Sequence, residues 1–160
     1  MTGQNVTQSH PNPQETTATI ASFQQKSTGL SLVITASAAA YYIANMWPMR
    51  PIALANDAIP AGYGGLVLGT VILIILAQIV LQAVLAIGAG STPAPTAHER
   101  NAAMKANRNA YPVLVTGLLA AVGSVFLQEL TPFCTANIAI LSFMAAEMVR
   151  LGSQLVYARR

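Results

Sequence analysis

The sequence predicts an all-α integral membrane bundle of four transmembrane helices behind a disordered polar N-terminal tail. Three observations predict it. Of the 160 residues, 54% are hydrophobic and only 8% charged, against about 25% charged in an ordinary soluble domain. The apolar residues gather in four blocks near the length of about 20 residues that carries a helix across a bilayer. Apart from Glu147 and Arg150, every charged residue falls between or outside those blocks. The chain therefore divides into a flexible tail, residues 1–27, and one transmembrane domain, residues 28–160.

The tail, MTGQNVTQSHPNPQETTATIASFQQ and onward, is rich in Thr, Gln, Ser, Asn and Pro and shows no hydrophobic period. Such a stretch buries too little apolar surface to offset its ordering entropy, so disorder is expected. An alternative is a short interfacial helix from Ala18 to Ser27 leading into the first span. The tail lacks the basic start and immediate apolar core of a signal peptide.

The first span, residues 28–47, carries no charge. Small residues at 35–40 favour close approach of another helix. Tyr41, Tyr42 and Trp47 stand toward one end, where amphipathic rings favour the headgroup level. Pro48 and Pro51 should stop this helix and open a loop to residue 62. The second span, residues 63–89, holds the core VILIILAQIVLQAVLAI. Gly65 and Gly69 form a GxxxG pair, a weak signal for helix packing. Gln78 and Gln82 share one face. Their amides want partners in lipid, through an interhelical hydrogen bond or at a polar spot lining a substrate path.

Thr96 and Glu99 fit a capping box and predict a helix starting just before His98. This short cytoplasmic helix, residues 97–110, sets Arg100, Lys105 and Arg108 within one arc and Ala102, Ala103, Ala106 and Ala110 on the other side. The basic arc is a topology anchor and a candidate contact for anionic lipid headgroups or a partner. The third span, residues 111–127, is short, with Pro112 in its first turn. Gly117, Ala121, Gly123 and Ser124 supply small packing surfaces. The fourth span, residues 136–157, contains Glu147 and Arg150, three apart and so neighbours on a helix. Phe143, Gln154 and Tyr157 lie on the same face.

Four spans place both termini on one side. With that side cytoplasmic, it holds Lys26, Arg100, Lys105, Arg108, Arg159 and Arg160, with Arg150 snorkelling toward it. The outer loops hold only Arg50. The Lys/Arg asymmetry fixes the orientation and accounts for the net charge of +3 without a nucleic-acid partner.

An ionisable residue inside a membrane is a functional-site hypothesis by default. Glu147 reads as half of a structural ion pair with Arg150, supported by Gln78, Gln82 or Gln154, or as a proton or cation site, or as part of an interface. Enzyme chemistry is not expected. The histidines, His10 and His98, lie in the tail and the cytoplasmic helix. The single cysteine, Cys134, allows no internal disulfide. No His, Cys, Asp or Glu pair recurs at metal-ligand spacing, and no nucleophile or phosphate motif is present, so neither metal nor cofactor is expected. Asn5-Val6-Thr7 matches a glycosylation acceptor that a cytoplasmic tail would not present.

From His98 onward, HERNAAMKANRNAYPVLVTGLL and ANIAILSFMAAEMVRLGSQLVYARR resemble a family of small bacterial integral membrane proteins of unassigned function. The resemblance rests on Glu99-Arg100, Lys105, Arg108 to Tyr111, Glu147, Arg150, Gly152 to Gln154 and Tyr157 to Arg160. His98 departs from it, standing where the family has an acidic residue. The resemblance implies a four-span protein of the bacterial inner membrane and adds no mechanism.

Two functions follow as expectations. One is a non-enzymatic accessory or interaction subunit in the cytoplasmic membrane, partnered by lipid and by a membrane protein or a second copy. The other is a small proton-coupled transporter acting as a homo-oligomer through Glu147. It resembles in size the four-span drug exporters, but those carry their essential Glu in the first span, which here has no charge.

Overall fold

Backbone N–H and C=O groups in lipid must be satisfied within the chain, so uninterrupted apolar runs become helices. The structure, a computed structural model, describes residues 13–88, 97–127 and 129–158, and no strand occurs among them. The helices are α1 (Pro13–Met46), α2 (Arg50–Asn56), α3 (Tyr63–Gly88), α4 (Ala97–Ser124) and α5 (Pro132–Ala158). Among the described residues, three stretches are long and apolar enough to cross a membrane: Gln25–Asn56, Tyr63–Ile87 and Pro132–Ala158.

The long helices pack side by side in the order α3, α1, α5, α4, and α4 and α5 share the most extensive interface. Neighbours run antiparallel, as their cross-links show. Between α1 and α3, Ser31 Oγ donates to Gln78 Oε1 at 2.9 Å, while Tyr42 pairs with Tyr63 at the far end. Between α1 and α5, Gln25 Nε2 donates to the Ala158 carbonyl at 3.2 Å and Tyr42 reaches Asn137. Between α4 and α5, Asn109 Nδ2 donates to the Tyr157 hydroxyl and Ser124 bonds Thr135, each at 2.8 Å. Asn137 and Ala158 stand about 32 Å apart along α5 at 1.5 Å per residue, close to the ~30 Å of a bilayer core.

Several expectations need correction. Residues 13–27 are helical, not a disordered tail: α1 starts at Pro13 and runs unbroken for 34 residues into the first span. Pro at a first helical position gives up no hydrogen bond, and extending an existing helix avoids the cost of nucleation. Residues 1–12 lie outside the described residues.

Pro48 and Pro51 do not end helical structure. A 3-10 turn, Trp47–Met49, leads into α2, and each has a proline in its first two positions, where the missing N–H is tolerated. Ala53 of α2 is buried in the core. The chain then reverses through Asp57 (φ 45°) and Gly62 (φ 85°), left-handed positions at which glycine is the undemanding choice.

The short helix over 97–110 and the span over 111–127 are one helix, α4, which passes through Pro112. It is not among the three membrane-length apolar helices. Its residues from Tyr111 to Ser124 would cover only about 21 Å, and the polar first half lowers its hydropathy. Among the described residues the GxxxG pair in α3 is not a helix contact: a Cβ placed at Gly65 or Gly69 would meet no atom of another helix within 4 Å. Helix α1 packs on the α3 face carrying Tyr63, Thr70 and Gln78. The close approach occurs instead at Gly117, where a Cβ would overlap the Ser142 side chain.

Tyr42 is also misplaced by its position near the end of a span. It is fully buried, whereas its neighbours in that aromatic group, Tyr41 and Trp47, are 51% and 61% exposed. Arg50 stacks over Trp47 at 5.5 Å, an arrangement suited to a bundle edge. The core lies in this half of the bundle, around Ala39, Tyr42, Met46, Ala53, Tyr63, Phe133 and Met144. Elsewhere the helices present apolar side chains outward; Leu76, Val80 and Ile87 of α3 are all more than half exposed.

Candidate functional site

The site is built on the seam between α4 and α5. Both helices contribute small residues: Ala110 and Ala146 are buried, and Gly117 meets Ser142 without an intervening side chain. Their backbones therefore lie close, and larger side chains beside the seam form walls. Toward one side they enclose an open groove of about 290 Å³, with Asn107, Tyr111 and Leu114 on α4 facing Phe143, Glu147 and Arg150 on α5.

Glu147 and Arg150 are joined in this groove by a two-pronged contact. Arg150 Nε donates to Glu147 Oε2 at 2.9 Å, and Nη2 donates to Oε1. The guanidinium has five N–H donors. Among the described residues, only Glu147 accepts from it. The Arg150 and Glu147 side chains remain 39% and 29% exposed. Glu147 lies about 15 Å along α5 from Asn137 and about 17 Å from Ala158 at 1.5 Å per residue, so the pair occupies the middle of the apolar stretch.

The other polar residues singled out from the sequence divide between two places. Gln78 accepts from Ser31, and Gln82 donates to Ser27 at 3.5 Å, so both join α3 to α1. Neither lines the groove holding Glu147. Gln154 is half-buried one turn beyond Arg150 on α5. Tyr157, on the same face, is tied to α4 through Asn109.

The basic residues of α4 behave as two distinct faces require. Arg100, Lys105 and Arg108 are exposed, while Ala102, Ala106 and Ala110 are buried. Asn109 of α4 meets Tyr157 near the end of α5, so the turns before Asn109 project past the end of α5. Lys26 of α1 is exposed at the same end of the bundle, and Arg50 is at the other. Arg159 and Arg160 lie outside the described residues.

Sequence reasoning missed a buried polar junction. Tyr63 donates to the Tyr42 hydroxyl at 2.8 Å, Tyr42 donates to Asn137 Oδ1 at 2.5 Å, and Asn137 Nδ2 donates to the Phe133 carbonyl at 2.7 Å. The direction follows because the single Tyr42 proton is committed to Asn137. The Tyr63 and Phe133 rings meet edge-on at 4.9 Å, a favourable aromatic geometry. This junction ties α1, α3 and α5 together. The available signal was Asn137 itself, an amide inside an apolar stretch that needed a donor at its own depth.

Among the described residues, no three His, Cys, Asp or Glu side chains are grouped to hold a metal ion. Compared with protein-family models, with curated proteins and with solved structures, the chain matches none.

Proposed function

We propose that the chain is a non-enzymatic, four-span accessory protein of a bacterial cytoplasmic membrane whose α4–α5 groove is a partner-binding face. The observation that carries this reading is the Glu147–Arg150 pair, about one-third exposed, midway along a membrane-length helix. Charged groups at that depth are costly unless they face protein or water. A surface that leaves them about one-third exposed in the single chain is suited to being covered by another protein.

Packing supports the reading of α4 as a fourth span. Residues 109–124 of α4 lie antiparallel along 135–157 of α5, and a helix laid against a membrane span shares its depth. Contact with protein along one side offsets its shorter apolar length. Lys26, Arg100, Lys105 and Arg108 at one end against Arg50 at the other support a cytoplasmic assignment for the termini. The bacterial inner membrane rests on the resemblance in the C-terminal half. There the exposed Arg100, Lys105 and Arg108 would contact anionic headgroups, at about 1 kcal/mol each.

The proton-coupled transporter is the second reading, favoured by the opening of the groove at Glu147. Against it, Arg150 engages both carboxylate oxygens. The test is extraction from native membrane into polymer discs, followed by mass spectrometry of the intact particles. The accessory reading expects a stoichiometric protein with the wild type that is lost from Glu147→Leu/Arg150→Leu. A protein found only as a lone chain in lipid overturns it.

A further inference from the structure

Resting on that reading, we propose that the groove's occupant is a second copy of this chain. The two copies are related by a two-fold axis along the membrane normal, and the ion pairs of both form one ring.

Three features point to this occupant. The first is unsatisfied donor capacity. Glu147 takes two of the five N–H groups of Arg150, and among the described residues nothing takes the others. At membrane depth these donors call for a protein acceptor or water, since lipid tails offer none. The second is charge. The groove presents one cation and one anion, separated along α5 by about 4.5 Å and around it by about 60° on a 3.6-residue helix. A two-fold rotation sets each Arg150 beside Glu147 of the partner subunit, giving four charges of alternating sign. Self-complementarity is the requirement of an isologous dimer, and one copy meets it with its own residues. A different partner would need its own cation and anion at matching depths.

The third is shape. Ala110 and Ala146 form a shallow floor, 8% and 5% exposed, over which a helix can approach closely. Phe143 and Tyr111 stand at its rim, 59% and 68% exposed, positioned to close over an arriving helix. The axis runs along the membrane normal because the exposed basic ends of both copies must lie on one side.

The test uses the full chain in native membranes with Cys134→Ser and one introduced cysteine. Copper-phenanthroline oxidation of Phe143→Cys is expected to give a disulfide-linked species of twice the chain mass. Ile79→Cys, 58% exposed on α3 and away from the groove, is expected to stay monomeric. A second measurement co-expresses two tagged forms, wild type and the swapped E147R/R150E. Each form should co-purify with itself, and the mixed pair should be lost, because neighbouring charges in the ring would then repel. Absence of a dimer at Phe143, or mixed pairs that form as readily as like pairs, overturns the proposal. An adduct at Phe143 with a different protein also overturns it while leaving the partner-face reading standing. Recovery of lipid alone around the chain in polymer discs removes both.

Discussion

Replacing Tyr42 with Phe tests the junction that ties three helices together. The substitution removes one oxygen and one proton from a fully buried site and keeps the ring that fills it. Two groups lose their partners: the Tyr63 hydroxyl loses its acceptor and Asn137 Oδ1 loses its donor. Tyr63 and Asn137 are 3% and 7% exposed, so neither can turn to solvent. An orphaned buried polar group costs about 1–3 kcal/mol, and interhelical hydrogen bonds measured in membranes average about 0.6 kcal/mol. For two such groups at an enclosed site, we expect a loss of about 2–3 kcal/mol. Tyr41→Phe is the internal control, because Tyr41 is half exposed and should change stability by no more than about 0.5 kcal/mol. The assay is equilibrium unfolding by steric trapping in bicelles. Tyr42→Phe combined with Asn137→Leu should cost less than the sum of the two single changes, since the second change removes the orphaned carbonyl. If Tyr42→Phe costs no more than Tyr41→Phe, or if the double substitution is additive, the assigned network is wrong.

Other consequences follow from particular contacts. Gly117→Ala should destabilise the α4–α5 seam by about 1–3 kcal/mol, because its Cβ would overlap Ser142, whereas Gly65→Ala should cause no loss, since its Cβ meets open space; thermal unfolding in detergent compares them. Glu147→Gln should cost about 2 kcal/mol, below the 3–5 kcal/mol typical of fully buried pairs, because the pair is about one-third exposed. Glu147→Leu with Arg150→Met should recover most of that loss in the same unfolding assay. In a Cys134→Ser background, an impermeant maleimide should label Ala61→Cys on intact cells and Lys105→Cys only after permeabilisation. Labelling of Lys105→Cys on intact cells would contradict the orientation.

How much of this was legible in sequence depended on how local each determinant was. Helix α3 was legible because its apolar run is continuous; residues 63–89 were expected and Tyr63–Gly88 is observed. The adjacency of Glu147 and Arg150 was legible because three residues on a helix fix it. The two faces of α4 followed from the same periodicity. What failed depended on partners distant in the chain. Tyr42 and Tyr41 are equivalent by composition, and only packing against Tyr63 and Asn137, 21 and 95 residues away, buries one and exposes the other. Gly65 and Gly69 matched a packing motif, yet α1 chose a different face of α3. Gln78 and Gln82 were linked to Glu147 by polarity alone, and the order of the helices placed them on another seam. The helical character of 13–27 was hidden because tail composition says nothing of a helix already started next to it. Proline effects depended on position: Pro48 and Pro51 occupy first turns, where they are tolerated.

A Glu147–Arg150 groove that faces protein in the membrane can be captured by cross-linking. The most direct measurement places a photo-activated cross-linking residue at Phe143 in the full chain and irradiates native membranes. A residue at Ile79 serves as the lipid-facing reference. A discrete protein adduct is expected from position 143 and lipid adducts from position 79. Lipid adducts alone from both positions would contradict a groove that faces protein.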